Sequence, residues 1–428
     1  MPRRRLGTPL GLLKREPSFR LLFLATLGSG AGTWLALVAL QIDVLHRTHS
    51  AVWMSVLLIA DLIPMPVFAL LVAPLVDRLS RKRLMVASDL VRFGVFAVLP
   101  FTTNAAQIVA LAAVSGIATG IFRPAVYAGL PNLVPDEDLS SANSLLQTID
   151  NTTWAVGSLA GGALVAASGT DVAYAINAGT FLLSALLIAG VPHRLLQATK
   201  AVSRGHWRDL GEGLALVRRS RALLTVLVAW NVGMLSNACV NVAEPFLATD
   251  SFSAGSFGLG LLMGCAGVGL AIGAYLASQW IERRGLPRVY GASLALMAIG
   301  IGAAALAPNV WVAAACVVLS GAGNGSTVVC NALLVQRGAP DALRGRAFTV
   351  LMSSNVTVLA LGMIAAGRLT HSVGPRWMWG AAAILSAAAA VAGYLFSRGV
   401  RTEKPSVAAV EPLPDLEAAA QQGTQQAL

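Results

Sequence analysis

The chain has 428 residues, of which 56% are apolar and 12% charged, with a formal net charge of +11 and a mean hydropathy of +0.70. A soluble domain carries roughly 25% charged residues because its surface faces water, so most of this surface must face a bilayer. Soluble globular classes are thereby excluded, and the positive charge is a nucleic-acid signal only if its position allows it.

About 20 apolar residues cross the hydrocarbon core as a helix. After a basic segment, 1–18, the first such run covers 19–45; it is too long for a cleavable signal core. It carries Trp34, and Asp43 falls at its far end, where water is expected to reach it. Span two, 51–76, places Asp61 roughly 20 Å from its inner end at about 1.5 Å per residue, with Pro64 and Pro66 one turn later. A basic loop with Arg81, Lys82 and Arg83 follows. Span three, 84–101, brings Asp89 and Arg92 onto one helix face.

Span four, 106–134, carries Arg123 and Tyr127; span five, 141–168, carries Asp150. Arg123 and Asp150 come out roughly 16 and 12 Å from the inner ends, so neighbouring helices can pair them. That pair is either a proton-coupling device or a permanent structural bridge. Asp61 has no partner in sequence. An isolated carboxyl at that depth favours its neutral form and can carry a proton. Asp150, Trp154, Gly157 and Gly161 form one stripe of span five.

Span six, 171–191, ends at a segment, 192–221, with seven basic residues and Trp207, Leu210, Leu214 and Val217 at helical spacing, read as an amphipathic surface helix. It divides an N-terminal bundle, 19–191, from a C-terminal one, 222–397. Span seven, 222–248, has a stripe of Asn237, Asn241 and Glu244, the last read as a solvated outer helix end. Spans eight and nine cover 254–281 and 287–307. Span ten, 309–336, carries Asn324 and Asn331, and spans eleven and twelve cover 346–370 and 375–397. Such amides either bridge helices or line a wet cavity. Trp34, Tyr127 and Trp154 can offer flat contacts to a lipophilic substrate, whereas Trp53, Trp311 and Trp377 read as interfacial belt residues. The tail, 398–428, reads as disordered.

Of the 31 Lys and Arg, only Arg47, Arg368 and Arg376 lie on the side opposite the termini, with Arg92 and Arg123 inside spans. The charge is therefore an orientation signal, with both termini cytoplasmic, and it argues against nucleic-acid binding. The four cysteines lack disulfide or metal spacing and read as packing residues. The five histidines fall at span ends or in loops, and no phosphate-cradling loop occurs. Neither an enzyme nor a resident metal or cofactor is expected.

The halves repeat. An offset of 205 carries Gly116 and Gly120 onto Gly321 and Gly325, Gly157 and Gly162 onto Gly362 and Gly367, and Gly169 onto Gly374. The expected fold is all-α: twelve transmembrane helices in two pseudo-symmetric six-helix bundles with a site between them.

The run from Ala73 to Arg83, with Asp77, Arg78, Arg81, Lys82 and Arg83, resembles the loop 2–3 signature of the major facilitator superfamily, with Ala73 and Ser80 where the family has glycine. The run Gly157, Ser158, Gly161, Gly162 resembles the span-five antiporter motif, with Ser158 in place of proline. The stretch from Pro124 to Asn143, with the Ser88 to Arg92 run, is similar to the macrolide-efflux and enterobactin-exporter branch. The resemblance implies a proton-driven exporter in the bacterial cytoplasmic membrane, working by alternating access, with Asp77 latching the cytoplasmic side near span eleven. Asp89 and Arg92 would join that gate. The expected partners are a small-molecule substrate, antibiotic-like or siderophore-like, protons and the lipid bilayer, with the monomer sufficient. Uptake, lysolipid movement and a non-transporting sensor or assembly factor are the alternatives.

Overall fold

The computed structural model describes residues 9–68, 79–196, 214–339 and 341–397. A short helix, Pro9–Arg15, precedes the long ones. In chain order these are α1 (Pro17–Thr48), α2 (Ala51–Phe68), α3 (Arg81–Phe101), α4 (Ala105–Asn132), α5 (Leu139–Ser168) and α6 (Thr170–Ala189). The second set is α7 (Arg221–Ser251), α8 (Gly255–Arg284), α9 (Leu286–Ala305), α10 (Val310–Gly338), α11 (Asp341–Val373) and α12 (Pro375–Ser397). Among the described residues, 11 of them are long and apolar enough to cross a membrane. The twelfth, α5, has 30 residues, about 45 Å of helix, but nine of its first fifteen residues are Ser, Asn, Gln or Thr. A span can be that polar only where it faces protein or water rather than lipid.

Helix starts are set by side-chain caps: Ser50, Ser80, Asn104, Ser220 and Asn309 each accept a backbone N–H two or three residues into their helix. Lys82 donates to the carbonyls of Ala189 and Val191, both at 2.6 Å, closing the end of α6. Large apolar side chains face outward along the helices, Ile299, Leu361 and Ile384 among them, as lipid contact requires.

The repeat is visible in the packing. In the first half α1 packs on α5 and α6, α3 on α4 and α6, and α2 on α4. In the second, α7 packs on α11 and α12, α9 on α10 and α12, and α8 on α10. The glycines that permit the closest approaches are repeat mates as well. A side chain at Gly116 would strike the Asp61 carbonyl, and one at Gly321 the Ala266 carbonyl. Gly169 and Gly374, with φ of 82° and 85°, end α5 and α11 in the left-handed region that glycine tolerates.

The halves touch through α5 against α8 and α2 against α11. Gly162 and Gly260 approach backbone to backbone, Ala155 fills the space over Gly267, and Ser55 and Ala51 abut Gly367. All these contacts lie toward the end carrying Thr48 and Gly374, here the far end; the end carrying Arg81 and Arg284 is the basic end. One apolar core runs through both halves at the far end, while the basic end has two separate cores, one per half. The halves are fused at the far end and part at the basic end, leaving a cleft.

The expected spans agree with the helices to within about five residues, except that the inner part of span two, from residue 69, lies outside the described residues. Two expectations differ in detail. Trp311 and Trp377 stand exposed, but Trp53 is half-buried against the shared core. Asp43 is not a water-facing charge: it is 7% exposed. Arg47 donates to it at 2.6 and 3.2 Å and Tyr174 at 3.1 Å. The greater part of the expected amphipathic linker and the tail from residue 398 lie outside the described residues.

Candidate functional site

A cavity of about 250 Å³ lies between the halves beneath the shared core. Trp34, Leu37 and Gln41 reach it from α1, one face at i, i+3 and i+7. Asn237, Asn241 and Glu244 reach it from α7 at i, i+4 and i+7, Asn324 from α10, Trp154 from α5 and Trp379 from α12. Trp34 stacks on Trp154, ring centroids 5.5 Å apart at 26°.

Glu244 is 7% exposed, and no cation pairs with it among the described residues. It is not a solvated helix end. Pro245 follows it inside the helix, and the chain continues through a wider turn, Leu247–Ser251. The carboxyl therefore sits a turn and more inside α7. Proline has no N–H to return to the Asn241 carbonyl. The indole N–H groups of Trp154 and Trp379 are buried with no acceptor. The chamber thus offers one acidic acceptor, amide side chains and flat aromatic walls, a set that suits an amphiphilic organic molecule.

On the cleft wall, Arg123 of α4 and Asp150 of α5 form an ion pair, their side chains 42% and 30% exposed. The structure brings together the two residues whose depths matched. Tyr127, one turn from Arg123, is 41% exposed and does not line the closed cavity. Asp61 on α2 is half-buried and has no partner among the described residues; its neighbour Leu62 lines the cavity.

Asp89 and Arg92 meet, but inside the first bundle. They form an ion pair 0% and 4% exposed. Ser184 of α6 donates to Asp89 at 2.7 Å, and the guanidinium sits between the rings of Phe122 and Phe181 at 4.4 and 4.3 Å. Among the described residues these partners belong to α4 and α6. Arg81 starts α3 half-buried, its Nε unpaired. Asp77 and Arg78 lie outside the described residues. Gly157 and Gly161 pack on α1 at Ala31 and Leu35, and Gly162 on α8 at Gly260.

Asn331 is not part of the central cavity; it lines a separate pocket on α7, α10 and α11. Sequence reasoning passed over Gln41, although it shares a face with Trp34, and Trp379, for which no periodic signal existed. Among the described residues no cluster of His, Cys, Asp or Glu can hold a metal ion.

The model of a family described as transmembrane secretion effector, a branch of the major facilitator superfamily, matches residues 8–424. The chain is 29% identical over 383 residues to the multidrug efflux pump Tap of Mycolicibacterium fortuitum, covering 84% of this chain and 91% of that protein. It is 22% identical over 338 residues to macrolide efflux protein A of Streptococcus pyogenes, covering 77% and 83%. Among solved structures, a bacterial homologue of the iron transporter ferroportin in an inward-facing state superposes with a TM-score of 0.69 at 17% identity, covering 89% of this chain and 98% of that one. That likeness concerns the fold alone.

Proposed function

The chain belongs to the transmembrane secretion effector family of the major facilitator superfamily, and from that premise we propose that it exports lipophilic or amphiphilic small molecules from the cytoplasm in exchange for protons. It is a multi-pass membrane transporter. The bias of Lys and Arg makes the basic end cytoplasmic, in a bacterial inner membrane, with both termini on that side. A cleft fused at the far end and open at the basic end is then the state that receives cargo from inside. The efflux names of the relatives support the direction.

The observation that carries the reading is Glu244: an unpaired, buried carboxyl in an aromatic chamber at the head of that cleft. An unpaired carboxylate holds a cationic group of a substrate only while it is ionised, so a proton and such a group compete for it. That competition is the physical requirement of an antiporter. Asp61, likewise unpaired, and Asp150, held by Arg123, are further proton sites. Protonation of Asp150 frees Arg123 on the cleft wall and alters what the two walls present to each other as they approach. Asp77, Arg78 and Arg81 would form the cytoplasmic latch, and Gly157, Gly161 and Gly162 let α5 slide against α1 and α8.

The test is accumulation in everted vesicles holding the protein, under an imposed pH gradient. The probes are a macrolide, a lipophilic cation and a neutral lipophilic amide. Gradient-dependent uptake of at least one, abolished by an uncoupler, is expected. Silence across all three removes the export reading.

A further inference from the structure

We propose that the pocket between α7, α10 and α11 at the basic end is a second ligand site, one that takes an uncharged lipophilic molecule by a carbonyl or amide head group. Its volume is about 600 Å³, and its walls include Trp230, Val328, Asn331, Phe348, Met352 and Asn355. None of the side chains that line it is charged.

Two buried amides on its wall have no partners. Asn331 is 9% exposed and Asn355 5%. Both side-chain polar atoms of Asn331 and the Nδ2 of Asn355 have no hydrogen bond. Leaving such groups unmade costs about 1–3 kcal/mol each. Two of them on one cavity, in helices that could be wholly apolar there, point to a ligand that supplies what the protein does not. The head group must give an acceptor to each NH₂ and a donor to the Asn331 oxygen. A primary amide does this, as does a carbonyl beside a hydroxyl. The exposed Phe348 and Met352 at the mouth and Trp230 within hold a flat apolar body.

The placement gives the site a role. Asn324, Val328 and Asn331 follow one face of α10, and Trp230, Asn237, Asn241 and Glu244 one face of α7. The pocket therefore lies on the same faces as the central cavity, about 10 Å toward the basic end. A molecule rising through the cleft meets it first. The repeat sharpens its chemistry: the offset of 205 carries Asp150 onto Asn355 and Arg123 onto Val328. Where the first half places an ion pair on its wall, the second places an amide beside valine. As a staging site for cargo the pocket rests on the export reading; as a binding site it does not.

The experiment is photolabelling of the full-length protein in lipid nanodiscs with 4-benzoylbenzamide, a neutral photoreactive primary amide, the adducts mapped by peptide mass spectrometry. Adducts are expected at Met352 and its neighbours, falling about fivefold in both Asn331→Leu and Asn355→Leu, the worth of about one buried hydrogen bond. Phe348→Ala, an exposed position, is expected to lower labelling without touching the fold. Thermal melting of the leucine variants should not fall, since a buried amide without partners is replaced by an isosteric apolar group. Adducts concentrated at Met263 and Met297 of the central cavity overturn the site, as does labelling indifferent to all three variants. The readout is binding alone, so its loss refutes the pocket whatever the vesicles show, and a labelled protein that accumulates nothing refutes export alone.

Discussion

Glu244 and Asp89 hold acidic groups inside a membrane in opposite ways. Asp89 is fully matched, by Arg92, Ser184 and the two phenyl rings that sandwich the guanidinium. Glu244 has open space and aromatic walls before it. A matched charge stabilises an arrangement, whereas an unmatched one waits for a partner. The expected consequences differ accordingly. Arg92→Met should lower stability by about 3–5 kcal/mol, because it leaves an uncompensated buried carboxylate; a melting curve measures this. Glu244→Gln should leave melting unchanged within about 0.5 kcal/mol and remove gradient-driven transport. Asp150→Asn should also abolish active efflux while the protein stays folded, since Arg123 loses the group that protonation would switch. Asp61→Asn tests the third carboxyl in the same assay, and full transport by that variant would remove Asp61 from the proton path.

At the scale of the element, the close-packed glycines of α4 and α5 separate two tasks. Gly162 faces Gly260 across the boundary between the halves, so a side chain there must push the far end apart. Gly116 faces the Asp61 carbonyl within one half, so a side chain there strains a packed bundle. Gly162→Val should therefore raise labelling of Asn241→Cys by an impermeant thiol reagent from the far side. Gly116→Val should instead lower the melting temperature, by the equivalent of about 1–3 kcal/mol of overpacking. Equal behaviour of the two variants would deny the assignment of Gly162 to the moving interface.

The elements were legible because hydropathy reports the bilayer directly, and the Arg123–Asp150 pair because a helix converts residue number into depth. Glu244 was hidden by Pro245 and the wide turn after it. Those features extend α7 to Ser251 and turn an apparent helix end into a position inside the membrane. Helix rotation was not legible either. Asp89 and Arg92 had to share a face, but nothing in their spacing shows that the face turns toward Phe122 and Phe181. Asn331 shares a face with Asn324, yet the cleft puts them in separate spaces, a division set by how far the halves part.

In the whole molecule, two repeats of one helix arrangement share a core at one end only. A shared core resists separation, and two unshared cores allow it, so the fold already contains the asymmetry that one state of a rocking transporter needs. The repeat supplies the other state in principle, with α5 sliding on α8 and α2 on α11 until the contacts now at the far end form at the basic end. Cargo and protons would then meet the Glu244 chamber from opposite sides in turn.

Proton release tests this account most directly. Everted vesicles holding the protein are acidified inside, and a transported probe is added outside while the internal pH is followed. The account predicts that the probe draws protons out of the vesicle lumen, and that Glu244→Gln vesicles give no such signal. Probe transport that proceeds with no proton movement, or an undiminished signal from Glu244→Gln, would contradict it.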